Sequence, residues 1–222
     1  MRGAPDPRIV LYAVGSPLVV DAEEACLRTG ATLVAGVRNH DAPVYVSDAV
    51  RVVDRAALSD TERACGFVVA LFTPGHRHAA VEDARRAGFA RGATLVDPTA
   101  AVARSARLGE GVFVNAGVVI AGACELADWV LVNRSASIGH HTRIAEYASI
   151  GPGAVLCGSV TIGRGTMIGA GTVVLPGVTI GSNCVIAAGS LVRDAVPDNS
   201  LAEGHPCRVK HGGIAGYKGI AV

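Results

Sequence analysis

Two adjacent histidines, His140 and His141, are the residues best suited to acid–base chemistry in this sequence of 222 residues. Glycines lie eighteen residues before and after the first of them, at Gly122 and Gly158. Imidazole titrates near neutral pH, which makes it a natural general base, although histidines without a function are also common on surfaces. Two neighbours without side chains would leave room for a ligand beside His140, and this favours a functional site.

The interval of eighteen matters because the second half of the chain repeats every six residues. Every sixth residue from Val96 to Val192 is Ile, Leu or Val, without exception. A six-residue unit fits one short strand and one sharp corner, and three such units close a triangular coil of eighteen residues. The aliphatic side chains would fill the interior of this prism. His140 and His141 would then lie at a corner and point outward, with Gly122 and Gly158 in the adjacent coils.

The first half of the chain has a different pattern, in which apolar runs alternate with helix formers. Such an order is typical of a small parallel α/β domain. A helix is expected to follow Thr73-Pro74, because Thr suits an N-cap and Pro suits the first helical position. The predicted elements are strands over Ile9–Val14, Thr32–Val37 and Gly66–Phe72, with helices over Asp21–Arg28 and Pro74–Arg86.

Charge and composition exclude several classes of protein. Twenty basic and nineteen acidic residues leave a net charge of +1, so neither nucleic acid nor a membrane surface is an expected partner. No apolar run is long enough for a membrane span, and Met1–Pro7 does not resemble the start of a signal peptide, so a cytoplasmic location is expected. The six cysteines are scattered without a CxxC pair, which argues against disulfides and structural zinc.

Two segments carry a resemblance to a known family. The run Asn133–Thr142 and the run Pro152–Gly158 resemble the active-site coil of the sialic-acid O-acetyltransferase and amino-sugar N-acetyltransferase family. That family joins a small N-terminal α/β domain to an all-β left-handed parallel β-helix of hexapeptide repeats. The resemblance implies an α/β domain over residues 1–92, a β-helix over 93–196 and a C-terminal turn with a flexible tail over 197–222.

The resemblance implies an acetyl-CoA-dependent acyltransferase that works as a homotrimer without a metal. His140 would be the general base for direct attack on the thioester, and the N–H of Gly158 would face the thioester oxygen. Acetyl-CoA would lie in a cleft between prisms, where the resemblance assigns its binding to Gly158, Ala170, Ala188 and Arg208.

The acceptor implied by the resemblance is a small molecule with an amine or a hydroxyl, on a sugar or a nucleotide-linked sugar. Asn133 and Ser149 would lie beside its reacting end. Gly15 and Asn39, which follow the first two predicted strands, would contact a nucleotide.

Three features depart from the family pattern. His141 stands where the family usually has a carboxylate that orients the base, so a backbone carbonyl or Glu146 would orient His140, or His141 would share the base role. Ser149 replaces a histidine that often contacts the substrate. The turn after the first strand contains only Gly15 together with Pro17, which makes a weak phosphate cradle.

Other interpretations of the sequence remain open at this point. The protein would alternatively be a non-catalytic sugar-binding or scaffold β-helix, or an acyltransferase for an acceptor that is not a sugar. A zinc enzyme of the carbonic-anhydrase type is disfavoured because the repeat offers only two histidines. Trp129 and Tyr147, eighteen residues apart, predict a subunit contact or a stacking surface for the acceptor.

Overall fold

The structure, a computed structural model, describes residues 8–222. Its N-terminal part is a four-stranded parallel sheet with strand order β3-β2-β1-β4 and helices packed against it. The strands are β1 (Arg8–Tyr12), β2 (Thr32–Arg38), β3 (Val52–Asp54) and β4 (Gly66–Val68). The helices are α1 (Val19–Thr29), the single turn α2 (Asp60–Arg63) and α3 (Pro74–Arg86).

Local sequence signals explain where the two long helices begin and end. Helix α1 ends at Gly30, which adopts the left-handed conformation with φ 71°. Helix α3 begins at Pro74, but the side chain of Thr73 makes no capping hydrogen bond. Strand β4 ends at Val68 and is shorter than predicted, and β3 was not predicted at all, because three residues between charged neighbours give no periodic signal.

The second part is a triangular prism built from two-residue strands at intervals of six residues. Each strand pairs in parallel with the strand eighteen residues away, which confirms the predicted coil. The fold is therefore an α/β domain followed by a left-handed parallel β-helix, as the repeat and the resemblance predict. The boundaries at residues 92 and 196 stay predictions.

The three faces of the prism differ in what their outward side chains meet. We call them the covered face, the apolar face and the polar face. The covered face consists of β5 (Leu95–Val96), β8 (Phe113–Val114), β11 (Leu131–Val132), β14 (Ser149–Ile150), β17 (Met167–Ile168) and β20 (Val185–Ile186). The apolar face consists of β6 (Ala101–Val102), β9 (Val119–Ile120), β12 (Ser137–Ile138), β15 (Val155–Leu156), β18 (Val173–Val174) and β21 (Leu191–Val192). The polar face consists of β7 (Arg107–Leu108), β10 (Glu125–Leu126), β13 (Arg143–Ile144), β16 (Thr161–Ile162) and β19 (Thr179–Ile180). A final hairpin of β22 (Leu201–Gly204) and β23 (Cys207–His211) extends the covered face.

The N-terminal domain packs on the covered face. Leu95, Phe113 and Leu131 are buried there together with residues of β1 and α1. An ion pair with an N–O distance of 2.6 Å joins Arg28 of α1 to the buried carboxylate of Asp97 in the first coil. The two parts of the chain thus share a continuous interface.

No helix within residues 8–222 has both the length and the apolar character needed to cross a lipid bilayer.

Candidate active site

His140 and His141 lie at the corner between the apolar face and the polar face, directly after β12. The corner turns at His141, whose φ of 59° is left-handed, and both rings are exposed to solvent. This is also the one corner of the prism that does not border the covered face. The predicted outward direction of the two histidines agrees with this placement.

The His140 ring packs directly against Gly158 in the next coil. A Cβ atom built on Gly158 would lie only 2.6 Å from Cε1 and 2.7 Å from Nε2 of His140, so the imidazole occupies the space that any side chain there would take. Gly122, in the preceding coil, is different, because a Cβ at that position would approach only Oγ of Ser105, at 3.1 Å. The ring therefore leans towards Gly158. Among residues 8–222, no acceptor receives a hydrogen bond from the Gly158 N–H, although its carbonyl accepts one from Gly177.

The two imidazoles are joined through their Nδ1 atoms, which lie 3.0 Å apart. One Nδ1 must donate and the other must accept, so at most one of the two can carry the proton at that position. If His140 donates, its Nε2 is left with a free lone pair. His141 is thus the side chain that contacts the His140 ring here, whereas the carboxylate of Glu146 lies 4.0 Å from Arg164 in a weak ion pair.

Two residues expected beside the acceptor lie away from the His140 corner in this chain. Asn133 is at the corner between the covered and apolar faces, where its Oδ1 accepts a hydrogen bond from Asn115 at 3.2 Å. Ser149 corrects the expectation more strongly, because it is fully buried on the covered face. Its hydroxyl donates to the carbonyl of Phe72 at 2.6 Å and accepts from Arg77 at 2.9 Å, so it has no exposed atom to offer a substrate.

The predicted role of Trp129 and Tyr147 is wrong for this chain. Both are buried at the corner between the polar and covered faces, against the chain's own N-terminal domain. Trp129 stacks on Phe67 at 5.2 Å, and Tyr147 meets His78 edge-on at 4.9 Å. The aromatic column is thus a contact within one chain, and no sequence pattern predicts it, because the repeat makes all three faces alike.

Arg77 fixes this domain contact, and sequence reasoning missed it. Its side chain is buried and donates to the carbonyls of Trp129 at 2.8 Å, Tyr147 at 2.6 Å and Ala148 at 3.0 Å. It also donates to the carbonyl of Leu71. Burial lowers the pKa of the guanidinium to about 9, which still leaves it charged at neutral pH. An arginine in a polar helix carries no signal of such a role.

A cavity of about 620 Å³ opens at the carboxyl ends of β1, β2 and β4. Gly15 and Asn39 line it, so the structure brings these two predicted binding residues together. His40, the neighbour of Asn39, lines it too, as do His76, Tyr217 and Lys218, which no pattern in the sequence singled out. Parallel α/β sheets bind their ligands at this edge. A larger cavity, of about 1040 Å³, is the open end of the prism core beside Val96 and Val102.

The residues expected to bind acetyl-CoA fall at separate places in one chain. Gly158 is at the His140 corner, whereas Ala170 and Ala188 are exposed at the corner between the covered and apolar faces. Arg208 lies on β23, with Nη1 3.4 Å from the carboxylate of Asp194. The two corners flank the apolar face on either side. Within residues 8–222, no cluster of three or more His, Cys, Asp or Glu residues forms a metal site.

Comparisons with known proteins agree with this architecture. The model of the family "Bacterial transferase hexapeptide (six repeats)" matches residues 159–194. A search of curated protein sequences gave no significant match.

Three solved structures illustrate the similarity. PerB from Caulobacter crescentus, in complex with CoA and GDP-perosamine, is 31% identical, with 95% of this chain and 99% of that chain covered and a TM-score of 0.78. The acetyltransferase domain of PglB from Neisseria gonorrhoeae FA1090, in complex with acetyl coenzyme A, is 26% identical, with coverage of 92% and 100% and a TM-score of 0.81. WeeI from Acinetobacter baumannii AYE shares the fold at 18% identity, with coverage of 91% and 99% and a TM-score of 0.75.

The β-helix and its coverage by these structures define an acyltransferase of the hexapeptide-repeat class. Within that class, the chain belongs to the amino-sugar acetyltransferase family, and it is an acetyl-CoA-dependent sugar acyltransferase.

Proposed function

We propose that the protein transfers the acetyl group of acetyl-CoA to the amine of an amino sugar linked to a nucleoside diphosphate, with His140 as general base. The observation that carries this proposal is the His140 imidazole, which is joined through Nδ1 to His141 and packed over Gly158. The acceptor class draws on PerB, which was solved with GDP-perosamine. The cytoplasmic location stays a prediction.

His140 has the geometry that a base for direct attack requires. With its Nδ1–H donated to His141, Nε2 is free to take the proton of the acceptor amine as that amine attacks the thioester carbonyl. His141 replaces the carboxylate usual in the family by accepting this hydrogen bond. The thiolate of CoA leaves when the tetrahedral intermediate collapses.

Gly158 suits the role of oxyanion donor. Its N–H is unpaired among the described residues and lies beside the His140 ring. A donor that is already fixed in place stabilises charge on the thioester oxygen without reorganisation during the reaction. Base and donor thus come from consecutive coils of one prism.

The cavity lined by Gly15 and Asn39 suits a nucleotide-linked acceptor. It lies at the carboxyl ends of parallel strands, and its volume of about 620 Å³ is in the range of small-molecule sites. The cavity belongs to the domain on the covered face, whereas His140 lies at the opposite corner. An acceptor held in the cavity of one chain would therefore meet the His140 of another.

The exposed apolar face supports a homotrimer. Val119 is 47% exposed and Val155 is 38% exposed on this face, whereas the polar face presents Arg107, Glu125 and Arg143. An apolar face on a chain that needs a neighbour to complete its site favours self-association. Acetyl-CoA would lie in the cleft between protomers. This cleft would be lined by the corner with Gly158 in one chain and by the corner with Ala170 and Ala188 in the next.

A thiol-release assay tests the activity. The wild type is incubated with acetyl-CoA and a panel of free amino sugars, nucleoside-diphosphate amino sugars and hydroxyl acceptors. We expect the highest kcat/KM with a nucleoside-diphosphate amino sugar. Turnover confined to hydroxyl acceptors, or to acceptors without a nucleotide, would overturn the proposed acceptor.

Light scattering tests the assembly. We expect a particle of three times the 22.5 kDa chain mass. A monomer that retains full activity would rule out a site completed by a neighbour.

A further inference from the structure

The last residues of the chain return from the prism to the N-terminal domain. Glycine-rich sequence over residues 212–219 predicts a mobile tail, but the structure packs this segment against both parts of the chain. The N–H of Ile214 donates to the carbonyl of Asn199 at 2.9 Å, and the N–H of Val222 donates to Oδ1 of Asn183 at 3.0 Å. Ile220 fills the space over Gly75 of α3, where a Cβ would lie 2.3 Å from Cγ2 of the isoleucine.

A tight turn in this segment brings two residues to the cavity lined by Gly15 and Asn39. Gly216, Lys218 and Gly219 have φ values of 84°, 60° and 72°, and the 3-10 turn Tyr217–Gly219 is held by a bond from the Gly219 N–H to the Gly216 carbonyl. Tyr217 and Lys218 line the cavity together with Gly15 and Asn39. The cavity wall therefore combines residues from the two ends of the described chain.

A diphosphate bound in this cavity would need a cation, because the turn after β1 offers few N–H groups to its negative charge. A diphosphate carries negative charge, which family sites meet with the N–H groups of a glycine-rich turn, yet here Pro17 lacks an N–H and Gly15 is the only glycine. Lys218 is the one lysine or arginine among the residues that line the cavity. Its Nζ lies 5.9 Å from the centre of the Tyr217 ring, and it is paired with no carboxylate in the described part of the chain.

We propose that Tyr217 and Lys218 form one wall of the acceptor site in this cavity and that Lys218 binds the diphosphate of the acceptor. This rests on the proposed nucleotide-linked acceptor and adds the residue that selects for it. The ammonium lies over the Tyr217 ring. On binding, it exchanges that contact for charge-assisted hydrogen bonds to phosphate oxygens.

Calorimetric titration of the wild type and Lys218→Gln with UDP and with GDP tests this assignment. For the diphosphate that the wild type binds, we expect a Kd about tenfold higher in the variant, because one charge-assisted hydrogen bond is lost. Binding of the matching unphosphorylated nucleoside should not change. Arg107→Gln, which removes one charge from the polar face, is the control and should bind the diphosphate like the wild type.

Steady-state kinetics distinguish a specific effect of Lys218 on acceptor binding from a general effect on folding. Lys218→Gln should raise KM for the acceptor while KM for acetyl-CoA and kcat stay within about twofold, because the lysine acts on binding alone. Gly75→Ala should act in the same direction by displacing Ile220, and with it the turn.

The two proposals fail in different ways. A wild type that binds neither UDP nor GDP at millimolar concentration overturns the nucleotide-linked acceptor and the role of Lys218 together. A wild type that binds one of them with the same Kd as Lys218→Gln overturns only the role of Lys218.

Discussion

At two corners of the prism an aromatic ring packs on a glycine of an adjacent coil, but one ring is buried and the other is exposed. At one, Trp129 occupies the space over Gly111, where a Cβ would lie 2.2 Å from its ring, and at the other His140 occupies the space beside Gly158. Phe67 and the rest of the N-terminal domain bury the first ring, whereas nothing in residues 8–222 covers the second. The six-residue period thus sets where a side chain points. The element packed on that side decides whether the side chain is buried or left exposed.

The largest expected effect separates the two corners by activity. His140→Ala should lower kcat by about 10²- to 10⁴-fold and leave KM for acetyl-CoA within a few-fold, because loss of a general base acts on the transition state. Steady-state kinetics on the folded variant measure this. Near wild-type turnover in His140→Ala would contradict a general-base role for His140. A greater loss of kcat in His141→Ala than in His140→Ala would assign the general base to His141 instead.

The second prediction concerns the buried corner. Trp129→Ala should lower the free energy of unfolding by about 3–5 kcal/mol, because it leaves a cavity between the domains. Urea denaturation measures the loss. At a temperature where the variant is folded, kcat should stay within about threefold. A large loss of kcat with stability retained would contradict this contrast between the two corners, since Trp129 would then act on substrate.

The third prediction uses the glycines on either side of His140. Gly158→Ala should lower kcat by about 10- to 100-fold, because the new methyl group displaces the imidazole from its position. Gly122→Ala is the matched control and should stay within about threefold, since its methyl group meets only Ser105. Equal kcat values for the two variants would show that the position of the ring against Gly158 is immaterial.

The smallest effect concerns the partner of the base. His141→Ala should cost about tenfold in kcat, since His140 keeps Nε2 but loses the group that fixes its orientation. His141→Asp should preserve or raise activity. A carboxylate at this position can accept the same hydrogen bond and stabilise the positive charge that the ring gains when it takes a proton. A kcat for His141→Asp no higher than that of His141→Ala would argue against contact between the two side chains during turnover.

The repeat made the prism predictable to the residue. Aliphatic residues every six positions specify the interior, and the interval of eighteen predicts Gly158 next to His140, where the structure has it. Helix α3 was predictable as well, because Pro74 marks its start. These features depend on local patterns, and local patterns are what a sequence displays.

The contacts between distant segments were not predictable. The outward residues Phe113 and Val119 are both apolar, and nothing in their type tells which face the N-terminal domain covers. The buried carbonyl contacts of Arg77 and the position of Lys218 at the cavity depend on the path of the chain in three dimensions. Ser149 was misjudged for the same reason, because only packing shows that its hydroxyl points under the domain.

The strict register of the coils constrains how such a protein can change in length. Eighteen added residues would lengthen the prism by one coil and return every later corner to its original side. Six added residues would keep the strands stacked but turn everything beyond the insertion by a third of a revolution. Placed between Ile150 and Leu156, such an insertion would carry Gly158 away from His140 and split the apolar column of Val119 and Val155 between two sides. The β-helix can therefore change in size only in whole coils if His140, Gly158 and the exposed apolar face are to keep their relative positions.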